Sequence, residues 1–335
     1  MILASLVARL TIQAVPGATH DPDAAESVGE RALALSRELD ARAVEARVLW
    51  VLAVAAFWTG RLADAIERGE RALALARELD LREQMARTLN DLGGLIYLHG
   101  GHISQAIEAL QEASELWEEL GNKPMLTDSL SGTSTAYVFA GEYDRAIALS
   151  DEAFRISQSI DNLWGQSYSR WKVGLAFWDR GEIGQAIRTM ETSIRLAETV
   201  GFLIPLTNTR TDLAALYADL GAVARGLEMA RAALSVAKSE DYADRAPALA
   251  VLAHLRLLNG DHAEAEARIE EARGDLDRDA WLFTFITALL AESRLTLQQA
   301  DYERCLAVTN NLLTQSHQHG IRFYVPEALY LKGNA

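Results

Sequence analysis

Small and apolar residues recur along the chain at a period of about forty residues. One place in successive repeats is occupied by Ala65, Ala106, Ala146, Ala186, Gly226, Ala265 and Cys305. The steps between them are 41, 40, 40, 40, 39 and 40 residues. The segment Gly29–Asp40 returns almost unchanged as Gly69–Asp80. A fixed period in this range indicates a solenoid, in which each repeat buries its apolar face against its neighbours.

Each repeat is predicted to contain two helices of about 17 residues. In the first helix an apolar residue is followed by a small one and, three positions later, by a bulky one, as at Val173, Gly174 and Phe177. These positions share one helical stripe, and the small residue lets a neighbouring helix approach closely. Alternating strand-like runs are absent, so the pattern predicts an all-α fold.

Glycine and aspartate mark the predicted helix ends. The first helices are followed by Gly60, Gly101, Gly141, Gly181, Gly221 and Gly260, and the joints between repeats carry Asp40, Asp80, Gly121, Asp161, Gly201 and Gly320. Glycine ends helices because it adopts the left-handed conformation readily. The step of 41 coincides with Gly100 and Gly101, and we expect the extra residue to lengthen that turn.

The composition narrows the choice of partners and compartment. The net charge is −15, which opposes direct binding to nucleic acid. The single cysteine, Cys305, excludes an internal disulfide framework and is compatible with a reducing cytosol. The first ten residues lack a basic segment and are interrupted by Arg9, which argues against a signal peptide. No apolar run is long enough to cross a membrane, so we expect a cytoplasmic protein with no membrane partner.

The pattern resembles the tetratricopeptide repeat. The resemblance rests on the Leu92, Gly93 and Tyr97 type of element, the turn glycine after it, and the small and bulky residues of the second helix, and it covers residues 22–335. The repeats are longer than the 34-residue form and lack its terminal proline, and so look like the MalT-like region of bacterial STAND-type ATPase regulators. The resemblance implies an all-α, right-handed superhelix, an α-solenoid of about eight antiparallel helix pairs.

We expect one solenoid domain over residues 1–335. The predicted helix pairs cover about 1–40, 41–80, 81–121, 122–161, 162–201, 202–241, 242–279 and 280–320, followed by a half repeat at 321–335. Residues 1–14 are predicted to form an irregular first helix. Because no polar terminal cap is visible, the chain is expected to be part of a larger protein, next to an ATPase or cyclase domain. The alternative is that a partner covers the open end.

The resemblance implies that ligands bind in the concave groove lined by the first helices. Carried onto this chain, the groove positions hold Arg47, Trp50, Arg87, Asn90, Asp91, Asp128, Tyr168, Trp171, Lys172, Trp178, Asn208 and Asp212, and continue at His254 and Arg294. Trp164, Trp171 and Trp178 are seven residues apart, so on a continuous helix they share a stripe. They could form an aromatic floor for an apolar, sugar-like or peptide ligand, or they could fill the joint between neighbouring first helices.

Sequence tests for catalysis find no phosphate-binding loop, no H-E-x-x-H and no G-x-S-x-G. The H-x-H at His317 and His319 favours a solvated helix end over a metal site. We therefore expect no cofactor, no metal and no enzymatic activity. The predicted function is a recognition scaffold, the sensor arm of a bacterial signalling ATPase or transcription regulator that binds a peptide, protein or small-molecule effector. The alternative is an adaptor between proteins or a self-association scaffold.

Overall fold

The structure is a computed structural model that describes residues 21–239, 245–276 and 282–335, together with residues 3, 6, 7 and 10. Within these ranges every regular element is a helix. The helices are α1 (Pro22–Glu38), α2 (Arg42–Trp58), α3 (Leu62–Glu78), α4 (Arg82–Asp91), α5 (Ile103–Glu119), α6 (Lys123–Ala140), α7 (Tyr143–Ser159), α8 (Leu163–Arg170), α9 (Val173–Asp179), α10 (Ile183–Val200), α11 (Leu203–Asp219), α12 (Val223–Ser239), α13 (Ala246–Leu258), α14 (His262–Leu276), α15 (Leu282–Gln298), α16 (Tyr302–Gln318) and α17 (Val325–Asn334).

Residues with a positive φ angle end the helices at intervals of about twenty residues. They include Asp40, Gly60, Asp80, Gly101, Gly121, Gly141, Asp161, Gly181, Gly201, Gly221, Gly260, Ala300 and Gly320. At Gly60, φ is 73°, and the N–H of Arg61 donates to the carbonyl oxygen of Ala56 at 2.9 Å. This hydrogen bond satisfies a carbonyl at the helix end and reverses the chain into the next helix. The all-α fold of successive helix pairs is confirmed.

Small residues lie where the helices of a pair cross. The recurring alanines Ala65, Ala106, Ala146 and Ala186 are fully buried. A Cβ atom built on Gly93 would lie 2.9 Å from the carbonyl oxygen of Ala106, which is closer than such atoms approach. The repeat therefore keeps small residues at these places because the helices pack backbone against backbone.

The chain divides into two compact units, Met1–Ser129 and Leu130–Ala335, here called the N-terminal and C-terminal units. Within the C-terminal unit the end of α6 reaches helices far along the chain. The ring of Phe139 stacks on Phe283 at 3.9 Å, and the N–H of Arg322 donates to the carbonyl oxygen of Phe139 at 2.8 Å. The single domain over residues 1–335 stays a prediction. The predicted helix at residues 1–14 lies largely outside the described residues, as do the predicted boundaries at 241–242 and 279–280.

The extra residue of the longest repeat lies inside a helix, which corrects the expectation of a longer turn. Residues Leu92–Tyr97 form a π-helix that continues α4. Asp80 and Gly101 are 21 residues apart, whereas the positive-φ residues on either side keep a spacing of 20. A π-helix accommodates an additional residue within an α-helix, so the turn at Gly101 keeps the form of the other turns.

Candidate functional site

The predicted groove residues number six in each compact unit and lie on the first helices of their pairs, except that Trp171 and Lys172 lie between α8 and α9. They occupy matching places: Arg47, Arg87 and Asp128 each lie five residues after the start of α2, α4 and α6. In the C-terminal unit, Tyr168 and Asn208 hold the same place in α8 and α11. The repeat therefore presents rows of side chains in which the residue type changes while the position is kept.

In the N-terminal unit the structure brings polar residues of α2, α4 and α6 together. Trp50 Nε1 donates to Asp91 Oδ2 at 2.8 Å, and Asn90 Nδ2 donates to Asp128 Oδ2 at 2.7 Å. The Oγ of Ser129 donates to Asn90 Oδ1 at 2.6 Å. Asn90, which is 6% exposed, therefore fixes the positions of its neighbours through its own amide.

The two carboxyl groups of this network, those of Asp91 and Asp128, lie in an environment that disfavours their charged form. Burial raises the pKa of Asp128 to about 7; the hydrogen bond from Asn90 opposes this, and repulsion from Asp91 adds to it. Burial also raises the pKa of Asp91, against the hydrogen bonds from Trp50 and Asn90. Titratable groups whose pKa is strongly shifted by burial are more common at functional sites than elsewhere.

A cleft of about 610 Å³ opens beside this network. Its lining consists of Ala43, Arg47, Trp50, Leu81, Arg82, Glu83, Gln84 and Arg87. Arg87 pairs with Glu83 at 2.7 Å, and Arg82 pairs with Glu119. Arg47 is exposed, and within the described part of the chain it forms no ion pair. The cleft thus combines an indole and a guanidinium whose charge is not neutralised, a combination that suits an anionic group.

In the C-terminal unit the predicted aromatic residues fall into two groups. Trp164 stacks on Phe202 at 4.4 Å and contacts Tyr168 at 5.3 Å, and Tyr168 contacts Trp171 at 5.4 Å. Trp164 thus packs on the residue that precedes α11, the next first helix, but remains 38% exposed. Trp171 is only 6% exposed, so most of its ring belongs to the core.

The first helix that carries these residues is broken between α8 and α9, which the sequence did not predict. Ser193 Oγ donates to the carbonyl oxygen of Ser167 at 3.0 Å, and Ser150 Oγ donates to that of Ser169 at 2.7 Å. Both hydroxyl groups come from neighbouring second helices. A side chain that bonds helix carbonyls in this way interrupts the regular ladder and bends the helix.

Lys172 lies at the break and pairs with Asp212 of α11. Lys172 Nζ lies 2.8 Å from Asp212 Oδ2, with both side chains about 15% exposed, and it also lies 5.2 Å from the ring centroid of Trp171. Burial raises the pKa of Asp212, whereas the attraction to Lys172 lowers it. This pair joins two neighbouring first helices, while Asn208, 8% exposed, lies one turn earlier in α11.

Trp178 lies beyond the break and has a different neighbour. Its ring makes an edge contact with Phe323, with centroids 6.3 Å apart, and Phe323 in turn contacts Tyr324. Trp178 therefore packs against an aromatic residue far along the chain in the same unit.

A second cleft, of about 650 Å³, lies within the C-terminal unit. It includes His254 and Arg294, which the sequence placed in the groove, but also Asp219, Glu327 and Tyr330, which sequence reasoning missed. These residues come from α11, α13, α15 and α17. Each of these helices is the first of its pair. The sequence could therefore have indicated Asp219, Glu327 and Tyr330 if the rows of first-helix positions had been followed to the end of the chain.

The described residues contain no group of three or more histidine, cysteine, aspartate or glutamate side chains arranged to hold a metal ion. Among these same residues, no helix combines the length and apolar character needed to cross a membrane.

Comparison by structure shows which known proteins share this fold. The chain is similar to a Rap protein complexed with competence and sporulation factor, with a TM-score of 0.66, 11% identity, and coverage of 95% of this chain and 97% of that one. For aspartyl phosphate phosphatase F from Bacillus subtilis the TM-score is 0.63, with 13% identity and coverage of 88% and 76%. For a signal transduction ATPase with a tetratricopeptide repeat sensor from Pyrococcus horikoshii the values are 0.53, 13%, 92% and 46%.

At these identities the similarity shows the fold alone. No curated protein matches the chain by sequence. The sequence profile of the tetratricopeptide repeat matches residues 44–119, which include the N-terminal cleft. Residues 44–119 thus match the tetratricopeptide repeat, and the recurring helix pairs of the other described residues share the fold of tetratricopeptide-repeat proteins.

Proposed function

We propose that the chain is a non-catalytic recognition arm that binds an effector carrying a carboxylate in the cleft of the N-terminal unit. The observation that carries this proposal is the exposed guanidinium of Arg47, which forms no ion pair with the described residues and lines the same cleft as the indole of Trp50. Arg87, which pairs with Glu83, lies in the same cleft on the next first helix. A carboxylate accepts two parallel hydrogen bonds from a guanidinium, and an adjacent aromatic face binds an apolar side chain.

The wider role follows the family resemblance. The chain is similar in fold to a STAND ATPase that has a tetratricopeptide repeat sensor, and it covers 46% of that protein's chain. We place it as the effector-binding arm of a cytoplasmic bacterial regulator with an ATPase or cyclase domain elsewhere in the same polypeptide. The sequence of the full-length gene tests this role, and a gene without such a domain would exclude it.

The binding proposal is tested with pairs of peptides that differ only at the C-terminus. A set of short peptides with aromatic or aliphatic last residues is prepared with a free carboxylate and as the amide, and binding is measured by fluorescence anisotropy. Arg47→Ala is expected to weaken binding of the free acids roughly tenfold to a hundredfold, because a hydrogen bond to a charged group contributes about 1.5–3 kcal/mol.

Arg31→Ala is the matched control. Arg31 is exposed on α1, a second helix, and lies outside the cleft. We expect this variant to bind as the unsubstituted chain does. Equal binding of acids and amides, or equal effects of the two substitutions, would exclude carboxylate recognition by Arg47.

A further inference from the structure

The cleft of the C-terminal unit has the opposite charge to that of the N-terminal unit. Its charged side chains are Asp219 at the end of α11, Arg294 of α15 and Glu327 of α17. Arg294 Nε donates to Glu327 Oε1 at 2.6 Å, so its charge is already neutralised by that carboxylate. Within the described residues Asp219 forms no ion pair or hydrogen bond. The cleft therefore retains one uncompensated negative charge.

Asp219 is an exposed residue of this cleft. Partial burial by the surrounding residues raises its pKa to about 6, repulsion from Glu327 adds to the effect, and Arg294 opposes it. A cation bound beside Asp219 would offset the repulsion from Glu327.

His254, which lines the same cleft, does not supply that cation. Burial, together with the positive charge of Arg294, lowers the pKa of His254 to about 2. The imidazole is therefore neutral at ordinary pH and offers a hydrogen-bonding nitrogen.

The other walls of the cleft suit the body of a ligand. Leu297 and Leu331 line it together with the ring of Tyr330, which is 67% exposed. Aliphatic chains pack against such apolar surfaces, and an exposed phenol ring attracts a cation near its face. The lining comes from four successive first helices, so a bound ligand would contact several repeats at once.

We infer that this cleft binds an aliphatic amine, placed so that its ammonium group lies against Asp219 and its methylene chain lies against Leu297 and Tyr330. A lysine side chain of a bound peptide and a free polyamine both present this chemistry. The site is separate from the carboxylate-binding cleft and does not depend on it.

The test compares three probes of equal length by isothermal titration calorimetry and ligand-observed NMR. Hexylamine is the cation, hexan-1-ol is the neutral analogue and hexanoate is the anion. We expect hexylamine to bind at least tenfold more tightly than hexanol, and hexanoate to bind more weakly than either. Hexylamine binding no tighter than hexanol binding would overturn the inference.

Asp219→Asn keeps the size of the side chain and removes its charge. Because Asp219 has no hydrogen-bond partner to lose, the variant is expected to fold normally and to bind hexylamine at least tenfold more weakly. Glu152→Gln, an exposed position on α7 outside the cleft, should bind as the unsubstituted chain does. Equal affinities of the Asp219→Asn and Glu152→Gln variants would overturn the assignment.

Two further measurements distinguish the two possible sources of the amine and show whether the two clefts bind independently. Binding of a blocked Ala-Lys-Ala peptide is compared with binding of 1,5-diaminopentane, and the tighter ligand identifies the source of the amine. Arg47→Ala should leave hexylamine binding unchanged, and loss of hexylamine binding in this variant would contradict a separate site. Asp219→Asn should leave the binding of peptide carboxylates unchanged, so failure of one proposal is distinguishable from failure of the other.

Discussion

Replacing Asp128 by asparagine should stabilise the N-terminal unit at high pH. The carboxylate of Asp128 is withdrawn from water and repelled by Asp91, and its hydrogen bond from Asn90 does not offset these effects, so its pKa is about 7 instead of 3.8. This difference corresponds to about 4 kcal/mol between the two protonation states. Because Asp128 is partly exposed, we expect the Asp128→Asn variant to gain only about 1–3 kcal/mol in its free energy of unfolding at high pH.

The sign of the pH dependence follows from linkage. The folded state binds the proton of Asp128 more tightly than the unfolded state does, so this group stabilises the fold fully below about pH 4 and loses that contribution as pH rises through about 7. The asparagine variant lacks this titration and can still accept the hydrogen bond from Asn90. Its advantage over the unsubstituted chain should therefore be near zero at pH 4 and largest at pH 8.

Urea unfolding followed by circular dichroism at pH 4, 6, 7 and 8 measures this difference, and hydrogen exchange of α4 and α6 localises it. Glu115→Gln is the control, because Glu115 is an exposed carboxylate on α5 of the same unit. An Asp128→Asn variant that is less stable than the unsubstituted chain at pH 8, or a difference independent of pH, would refute the reasoning. If the variant is more stable but binds effector less well, Asp128 is retained for binding at a cost in stability.

Two other predictions concern packing and charge. Gly93→Ala should lower the free energy of unfolding by about 1–3 kcal/mol, because its Cβ would lie 2.6 Å from Leu110 Cγ and close to a backbone carbonyl of α5. Gly94→Ala has room, with Leu110 Cδ2 at 3.6 Å, and should be neutral or stabilise by up to about 1 kcal/mol; equal effects in urea unfolding would contradict the packing described. Asp212→Asn should destabilise the C-terminal unit by about 2–4 kcal/mol at pH 7 because Lys172 is left nearly buried without a counter-ion. Adding Lys172→Met should restore much of this loss, and no recovery in the double variant would count against the pairing.

The helix pairs were predictable because they depend on local and periodic information. Turn residues such as Gly60 and Gly141 and buried alanines such as Ala106 recur at fixed spacing, and each has a simple physical reason to be there. The place of the extra residue was not predictable from the period. A count of residues shows that one is added between Asp80 and Gly101 but does not show whether a turn lengthens or a helix widens.

The stripe of Trp164, Trp171 and Trp178 was harder to predict, because the prediction assumed a continuous helix. At the break between α8 and α9 the carbonyl oxygens of Ser169 and Ser167 accept from the hydroxyl groups of Ser150 and Ser193, which belong to other helices. A single-helix pattern contains no information on such contacts. For the same reason the burial of Trp171 could not be read from its seven-residue spacing. Its replacement by alanine would disturb the core, so it is a poor probe of binding.

Charge alone does not identify a site in this chain, whereas an unpaired charge inside a cleft suggests one. Arginines of the N-terminal unit such as Arg37, Arg68 and Arg77 form ion pairs with glutamates of neighbouring helices. Such pairs orient side chains and contribute little to binding. Arg47 and Asp219 differ because each lies in a cleft formed by first helices without a neutralising neighbour among the described residues. A tetratricopeptide scaffold keeps its backbone geometry constant from repeat to repeat. Differences in ligand recognition must therefore come from side chains, and a charged side chain in a cleft without an ion-pair partner is available to bind a ligand.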